Sequence, residues 1–147
     1  MGDALHGEVL RAWKGVSRPA AEPAHFVGAV RQHDLTAGQT EQQILGVWFP
    51  AGARTILHAH PVDQVLQCFE GEIAVAIGPE RRLLGPGELI VVPKDSWHWH
   101  GATPLGDAAH FSIKPHADTA WSGAPAAEQA EYDAYADWAH WLAGRRR

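Results

Sequence analysis

The 147-residue chain is 46% hydrophobic and 20% charged, with a formal net charge of −5 and a pI near 6.0. That describes one soluble globular domain, long enough to bury a sizeable core. The acidic balance speaks against a nucleic-acid partner, which needs a concentrated basic surface. No run approaches 18 apolar residues and no basic-then-apolar leader opens the chain, so the expectation is a cytoplasmic protein without a membrane partner.

Residues 1–24 mix charge with Pro19 and Pro23 and show no clean period. They read as an N-terminal arm with a helical turn near residues 9–13. From residue 25 the pattern changes to short apolar runs broken by Gly, Pro and Asp. Strands are predicted over 25–31, 43–49, 55–60, 64–69, 73–77, 88–92, 97–101 and 108–114. Breaks fall at 34–40, 50–52, 70–71, 78–80, 85–87 and 103–107. Many short strands with turn signals between them predict an all-β antiparallel sandwich or barrel over residues 25–117.

Residues 118–147 form a C-terminal helical extension. The stretch 126–143 lacks Gly and Pro and is rich in Ala, Glu and Gln. Tyr132, Tyr135, Trp138, Ala139 and Leu142 recur at three- and four-residue steps, so an α-helix with one apolar stripe is expected, ending at Gly144. The stripe must cover its own barrel or a partner subunit. Arg145, Arg146 and Arg147 beyond the helix complement its dipole.

The single cysteine, Cys68, allows no intrachain disulfide and reads as a buried, inert thiol. Seven Trp are more than one small core easily encloses, so some should be exposed or at an interface. With the N-terminal arm, they point to a homodimer.

Two segments carry the chemistry. The first is Gly52-x5-His58-x-His60-x3-Gln64-x6-Gly71, and the second is Gly87-x5-Pro93-x4-His98. On a strand, His58 and His60 share a face, and so do His98 and His100, with Trp97 and Trp99 opposite. Three imidazoles and one carboxamide oxygen make a mixed N/O site for a divalent transition metal. His58, His60, Gln64 and His98 are therefore the candidate metal ligands. All four are neutral, so the ion would keep its full charge and act as a Lewis acid rather than a redox centre.

Strand parity nominates further residues. His110, Ser112 and Lys114 share one face of the late strand, opposite Phe111 and Ile113. His110 is the candidate general base. His100 is a candidate proton carrier, fourth metal-binding histidine or hydrogen-bonded neighbour. Lys114 is a third candidate catalytic residue, in the cavity or at its rim. Leu45, Val47, Leu66 and Ser112 are expected to line a substrate cavity, with Cys68 on the same parity. His25, His33 and His116 lie in or near loops and read as surface residues.

The two motifs resemble those of the cupin superfamily. That family usually has Glu at the position of Gln64, Gly at that of Asp95 and Asn at that of Ala102. The resemblance implies a double-stranded β-helix, the jelly-roll barrel. Within the cupins the chain is similar to the small bacterial manganese-dependent hydroxynitrile lyases. The likeness runs through Phe26-x-Gly28-x-Val30-Arg31, Gly52-Ala53-Arg54-Thr55, His58-x-His60-Pro61-x2-Gln64 and His98-Trp99-His100-Gly101-Ala102. It implies manganese on His58, His60, Gln64 and His98, with the base at His110. Zinc, iron and nickel fit the same ligands. Where that family usually has Gln, this chain has Lys114, and Leu45 replaces a smaller side chain. A less specific resemblance is to single-domain cupins that cyclise aromatic polyketides.

The expected function is therefore carbon–carbon lyase or cyclase chemistry on a small hydrophobic or aromatic molecule carrying an oxygen. An Fe- or Ni-dependent dioxygenase and a non-catalytic small-molecule binding module are the alternatives. Oxygen uptake on turnover separates the first two.

Overall fold

The computed structural model describes residue 5, residues 7–134 and residue 138. Its strands are β1 (Arg18–Pro19), β2 (Phe26–Val27), β3 (Arg31–Asp34), β4 (Gln42–Phe49), β5 (Arg54–Thr55), β6 (Gln64–Glu70), β7 (Ile73–Ile77), β8 (Glu80–Leu84), β9 (Leu89–Val92), β10 (His98–Ala102) and β11 (Ala108–Pro115). They form two antiparallel sheets, ordered β1-β3-β4-β11-β6-β9 and β2-β5-β10-β7-β8. This is a jelly-roll sandwich, in which alternate residues of both sheets face a shared interior.

Alternation builds that interior. Val47 and Phe49 of β4, Leu66 and Cys68 of β6, Ile73 and Val75 of β7 and Val92 of β9 all belong to one buried cluster. It fills one end of the sandwich and leaves the other end to polar side chains. Cys68 is buried there, and burial raises its thiol pKa, as expected of an inert cysteine.

The outer face of the five-stranded sheet is dry as well. Ala74, Ala76 and Trp99 point outward and meet Leu57 and Tyr132. Tyr132 lies on the helix α1 (Ala126–Ala134). Its ring meets Trp99 edge-on at 5.6 Å, and its hydroxyl donates to the Thr55 carbonyl at 3.2 Å. Trp138 also packs on Trp99, at 5.5 Å, and its indole N–H donates to the Gly52 carbonyl. The described part of the apolar stripe therefore covers its own barrel. Tyr135, Ala139, Leu142 and the terminal arginines lie outside the described residues.

Several local expectations change. The predicted helical turn at 9–13 is absent, and a 3₁₀ turn lies at Lys14–Val16 instead. The arm then adds β1 to the edge of β3. The predicted strand 25–31 is split into β2 and β3 at Gly28, whose φ is +102°. A Cβ there would also stand 2.6 Å from that of Ala53, so both conformation and space require glycine. β8 was not expected at all. Its sequence, ERRLL, carries charge, which suits the edge strand that it is. Trp13 is 53% exposed, as anticipated for some of the tryptophans, whereas Trp48 and Trp99 are buried. No helix among the described residues is long and apolar enough to cross a membrane.

Candidate metal centre

The predicted strand 55–60 forms a ladder only at β5, and beyond it the backbone is held by single bridges. His58 exchanges two backbone hydrogen bonds with His98, at 3.0 and 2.9 Å. Ala59 exchanges two with Ala120, at 3.1 and 2.9 Å. The first bridge brings the two motifs face to face. The second lays residues 118–121 beside them. Gly101 makes room for this arrangement, since a Cβ there would lie 2.2 Å from the Ala53 carbonyl oxygen.

His58, His60 and His98 converge so that one ring nitrogen of each lies within 4.8 Å of the others. All three are buried. Each Nδ1 has a partner of its own. His58 Nδ1 is 2.8 Å from the Ile56 carbonyl, His98 Nδ1 is 2.8 Å from the Ser96 carbonyl, and His60 Nδ1 is 2.9 Å from Thr119 Oγ1. Carbonyl partners place the proton on Nδ1 and leave Nε2 bare, the tautomer a metal needs. Burial keeps these rings neutral. It pushes His60 down to about 3, assisted by neighbouring His98, and His98 down to about 4. Burial and His98 hold His58 well below the usual imidazole range.

Gln64 completes the set. Its amide Nε2 donates to Ser112 Oγ at 2.8 Å, which turns its Oε1 toward the histidines. Oε1 is 3.1 Å from His98 Nε2. With the His98 proton committed to Ser96, two lone-pair atoms face each other across that gap. His60 Nε2 is also buried without a hydrogen-bond partner. A cation shared by these atoms resolves both conflicts, so the donor set fits a divalent metal.

Asp95, at the position where the resembled family has Gly, has a φ of +63°. The backbone needs a left-handed residue there, and Asp is among the few others that tolerate it. The Asp95 N–H donates to the His60 carbonyl at 2.7 Å, which holds the first motif against the second.

The ligands lie beside a cavity of about 300 Å³ between the two sheets. β11 sends His110, Ser112 and Lys114 inward, as its parity predicted, and all three are buried. Lys114 thus points into the cavity. His110 Nε2 is 2.9 Å from His100 Nδ1, so these two candidate residues form one hydrogen-bonded pair. Burial pushes His110 down to about 4; burial and the His110 ring hold His100 well below the usual range. Leu45 and Val47 line the cavity as expected. Leu66 does not: it is 0% exposed in the apolar cluster beneath, paired with Ser112 across the ladder. Shared parity put it on the right face but one layer too deep.

Two of the three loop histidines depart from the surface reading. His25 is part of the cavity wall and stacks on Trp121 at 3.9 Å. Trp121 stacks in turn on His58 at 4.5 Å. His33 lies on β3 and is half-buried, whereas His116 is exposed as expected. Trp121 and Thr119 were not foreseen, because nothing local in the sequence says that residues 118–121 return to the ligands.

The cupin domain family matches residues 47–114. Over 96 residues the chain is 32% identical to the (R)-mandelonitrile lyase of Granulicella tundricola, covering 63% of this chain and 73% of that protein. The chain is a cupin. Among solved structures, this cupin is similar to a cupin-like protein of Thermotoga maritima, with 26% identity and a TM-score of 0.66, over 80% of this chain and 96% of that one. It also shares its fold with the polyketide cyclase RemF of Streptomyces resistomycificus, at 15% identity and a TM-score of 0.66, over 86% and 94% of the two chains.

Proposed function

We propose that this cupin is a metal-dependent carbon–carbon lyase that cleaves a small, largely apolar hydroxy compound of the cyanohydrin type. The observation that carries the reading is the placement of a hydrogen-bonded His110–His100 pair in the same cavity as the His58, His60, His98 and Gln64 cluster. Similarity to an (R)-mandelonitrile lyase supports it. The cavity, at about 300 Å³, is at the small end for ligand sites, which favours one aromatic ring over a fused-ring polyketide.

A divalent ion on the four ligands, with manganese the first candidate, supplies Lewis acidity toward the substrate oxygen. The chain's own residues do the rest. Leu45 and Val47 hold the apolar part of the substrate and exclude water. The His110–His100 pair accepts the hydroxyl proton. Both rings are neutral near pH 7, and the bond between them lets the second ring share the charge gained by the first. As that proton leaves, the carbon–carbon bond breaks, its electron pair departs with cyanide, and an aldehyde remains. The pair then returns the proton to cyanide, so atoms and charge balance. Gln64, neutral and held by Ser112, adds no negative charge that would blunt the Lewis acid.

The test joins elemental analysis to an assay. About one equivalent of divalent metal, lost in His58→Ala, should accompany aldehyde release from (R)-mandelonitrile without oxygen uptake. A metal-loaded protein that releases no aldehyde from mandelonitrile or other aromatic cyanohydrins, neutral or carboxylated, would sink the lyase reading.

A further inference from the structure

The mechanism above leaves one cavity side chain without a task. Lys114 is only 7% exposed, although its side chain is of the type that ordinarily carries a positive charge. Its hydrogen bond runs from Nζ to Gln43 Oε1, 3.3 Å away, a long contact to a neutral acceptor. No carboxylate among the described residues forms an ion pair with it. The one acidic residue among the described residues of the cavity wall, Glu22, is exposed and makes no such bridge. The amides and hydroxyls of the wall, Gln32, Gln64, Ser112 and Thr119 among them, are neutral, and His60 feels the lysine electrostatically. Burial lowers the Lys114 pKa from its ordinary value. Buried cations are normally paired, and an unpaired one in a ligand cavity is a site awaiting its anion.

The strand provides a ruler. Inward positions on β11 run His110, Ser112, Lys114. At about 3.4 Å per residue, Lys114 begins roughly 7 Å beyond Ser112 and roughly 14 Å beyond His110. Ser112 holds the metal-ligand candidate Gln64. The cavity is thus graded along one strand, with the proton-handling pair at one end, the metal ligands in the middle and an ammonium at the other.

We infer that the substrate is itself an anion, an aromatic or aliphatic hydroxy or carbonyl compound whose carboxylate pairs with Lys114 while its oxygen-bearing carbon faces the metal ligands. This rests on reading the cavity as the substrate site. A carboxylate suits the site better than a phosphate ester. Lys114 is the only Lys or Arg among the described cavity-lining residues, and a doubly charged phosphate needs several strong donors.

The test compares 4-formylbenzoate with the isosteric but neutral 4-formylbenzamide. Calorimetric titration of each is run on wild type, Lys114→Arg and Lys114→Gln, both metal-loaded and metal-free. The acid should bind at least about tenfold more tightly than the amide to wild type and Lys114→Arg, and equally with the amide to Lys114→Gln. Lys114→Met should melt at a higher temperature than the unliganded wild type, because it removes an unpaired buried charge. Equal binding of acid and amide by wild type, an acid preference that survives in Lys114→Gln, or no binding of either probe overturns the inference. The two readings fail separately. An acid preference in a protein without lyase turnover removes the lyase and keeps the anion site. Turnover of neutral cyanohydrins without acid preference does the reverse.

Discussion

Strand β10 serves two opposite environments with alternate residues. His98 and His100 face inward, where each ring is tied to a polar partner and His98 stands among the candidate metal ligands. Trp99, between them, faces outward into a dry cluster with Tyr132 and Trp138. Both faces are buried, so burial alone does not separate function from stability. What separates them is what they surround: rings packed on one another outside, imidazoles around a cavity inside. The outer face closes on itself, with rings edge-on and the Tyr132 hydroxyl bonded to the Thr55 carbonyl. The inner face keeps buried atoms without partners, His60 Nε2 and His100 Nε2 among them. Unpartnered imidazole nitrogens beside an open cavity are placed to receive something else.

That contrast can be broken from either side. The largest effect is expected on the inner face. His98→Ala should lose the metal and lower lyase turnover on the order of 10³-fold or more, while the outer cluster keeps the protein folded. Metal content and melting temperature on one sample check this. Unfolding instead would mean that the histidines are core residues. On the outer face, Trp99→Ala should cost about 3–5 kcal/mol of stability by denaturant titration, with one equivalent of metal retained below the transition. Loss of metal at unchanged stability would erase the distinction between the faces.

Titration sharpens it further. Burial lowers the folded pKa of His110 from the ordinary imidazole value of about 6.5 to about 4. Between those values the unfolded chain binds a proton that the folded chain refuses. The neutral ring's contribution is therefore full above pH 6.5 and is lost as pH falls toward 4, by about 3 kcal/mol for this one group. Metal-free His110→Phe should lose correspondingly less stability over that window than metal-free wild type, by chemical denaturation at each pH. Its metal-loaded form should retain the ion and turn over about 10²-fold more slowly. Parallel pH curves would show that His110 is not held neutral by burial.

The smallest effect tests the neutral ligand. Gln64→Glu should keep the metal and lose about tenfold in turnover, since an anionic ligand weakens the Lewis acid. Elemental analysis and initial rates suffice. Unchanged turnover removes any role for neutrality at this position.

The ligand set was legible before the fold, and for a local reason. Side chains on a strand alternate, so His58 with His60, His98 with His100, and His110 with Ser112 and Lys114 had to share faces once strands were granted. The same rule named the apolar wall through Leu45 and Val47. It failed at Leu66, because parity gives the face of a sheet but not the depth along it. It failed at β8, whose edge position, rather than an apolar pattern, lets it carry Arg81 and Arg82.

What the chain's order of residues determined by itself was the set of groups offered to the interior: three imidazoles, a neutral carboxamide, a candidate histidine base and a lysine, each assigned to a face by a period of two. Only the tertiary structure decided which of them meet. The single bridge joining Ala59 to Ala120 carries Thr119 onto His60 and Trp121 onto His58. The packing of β10 near β11 joins His100 to His110, and the sandwich buries Lys114 without an anion. These are contacts between residues far apart in sequence. Their geometry comes from sheet closure and shared burial, which no local period encodes.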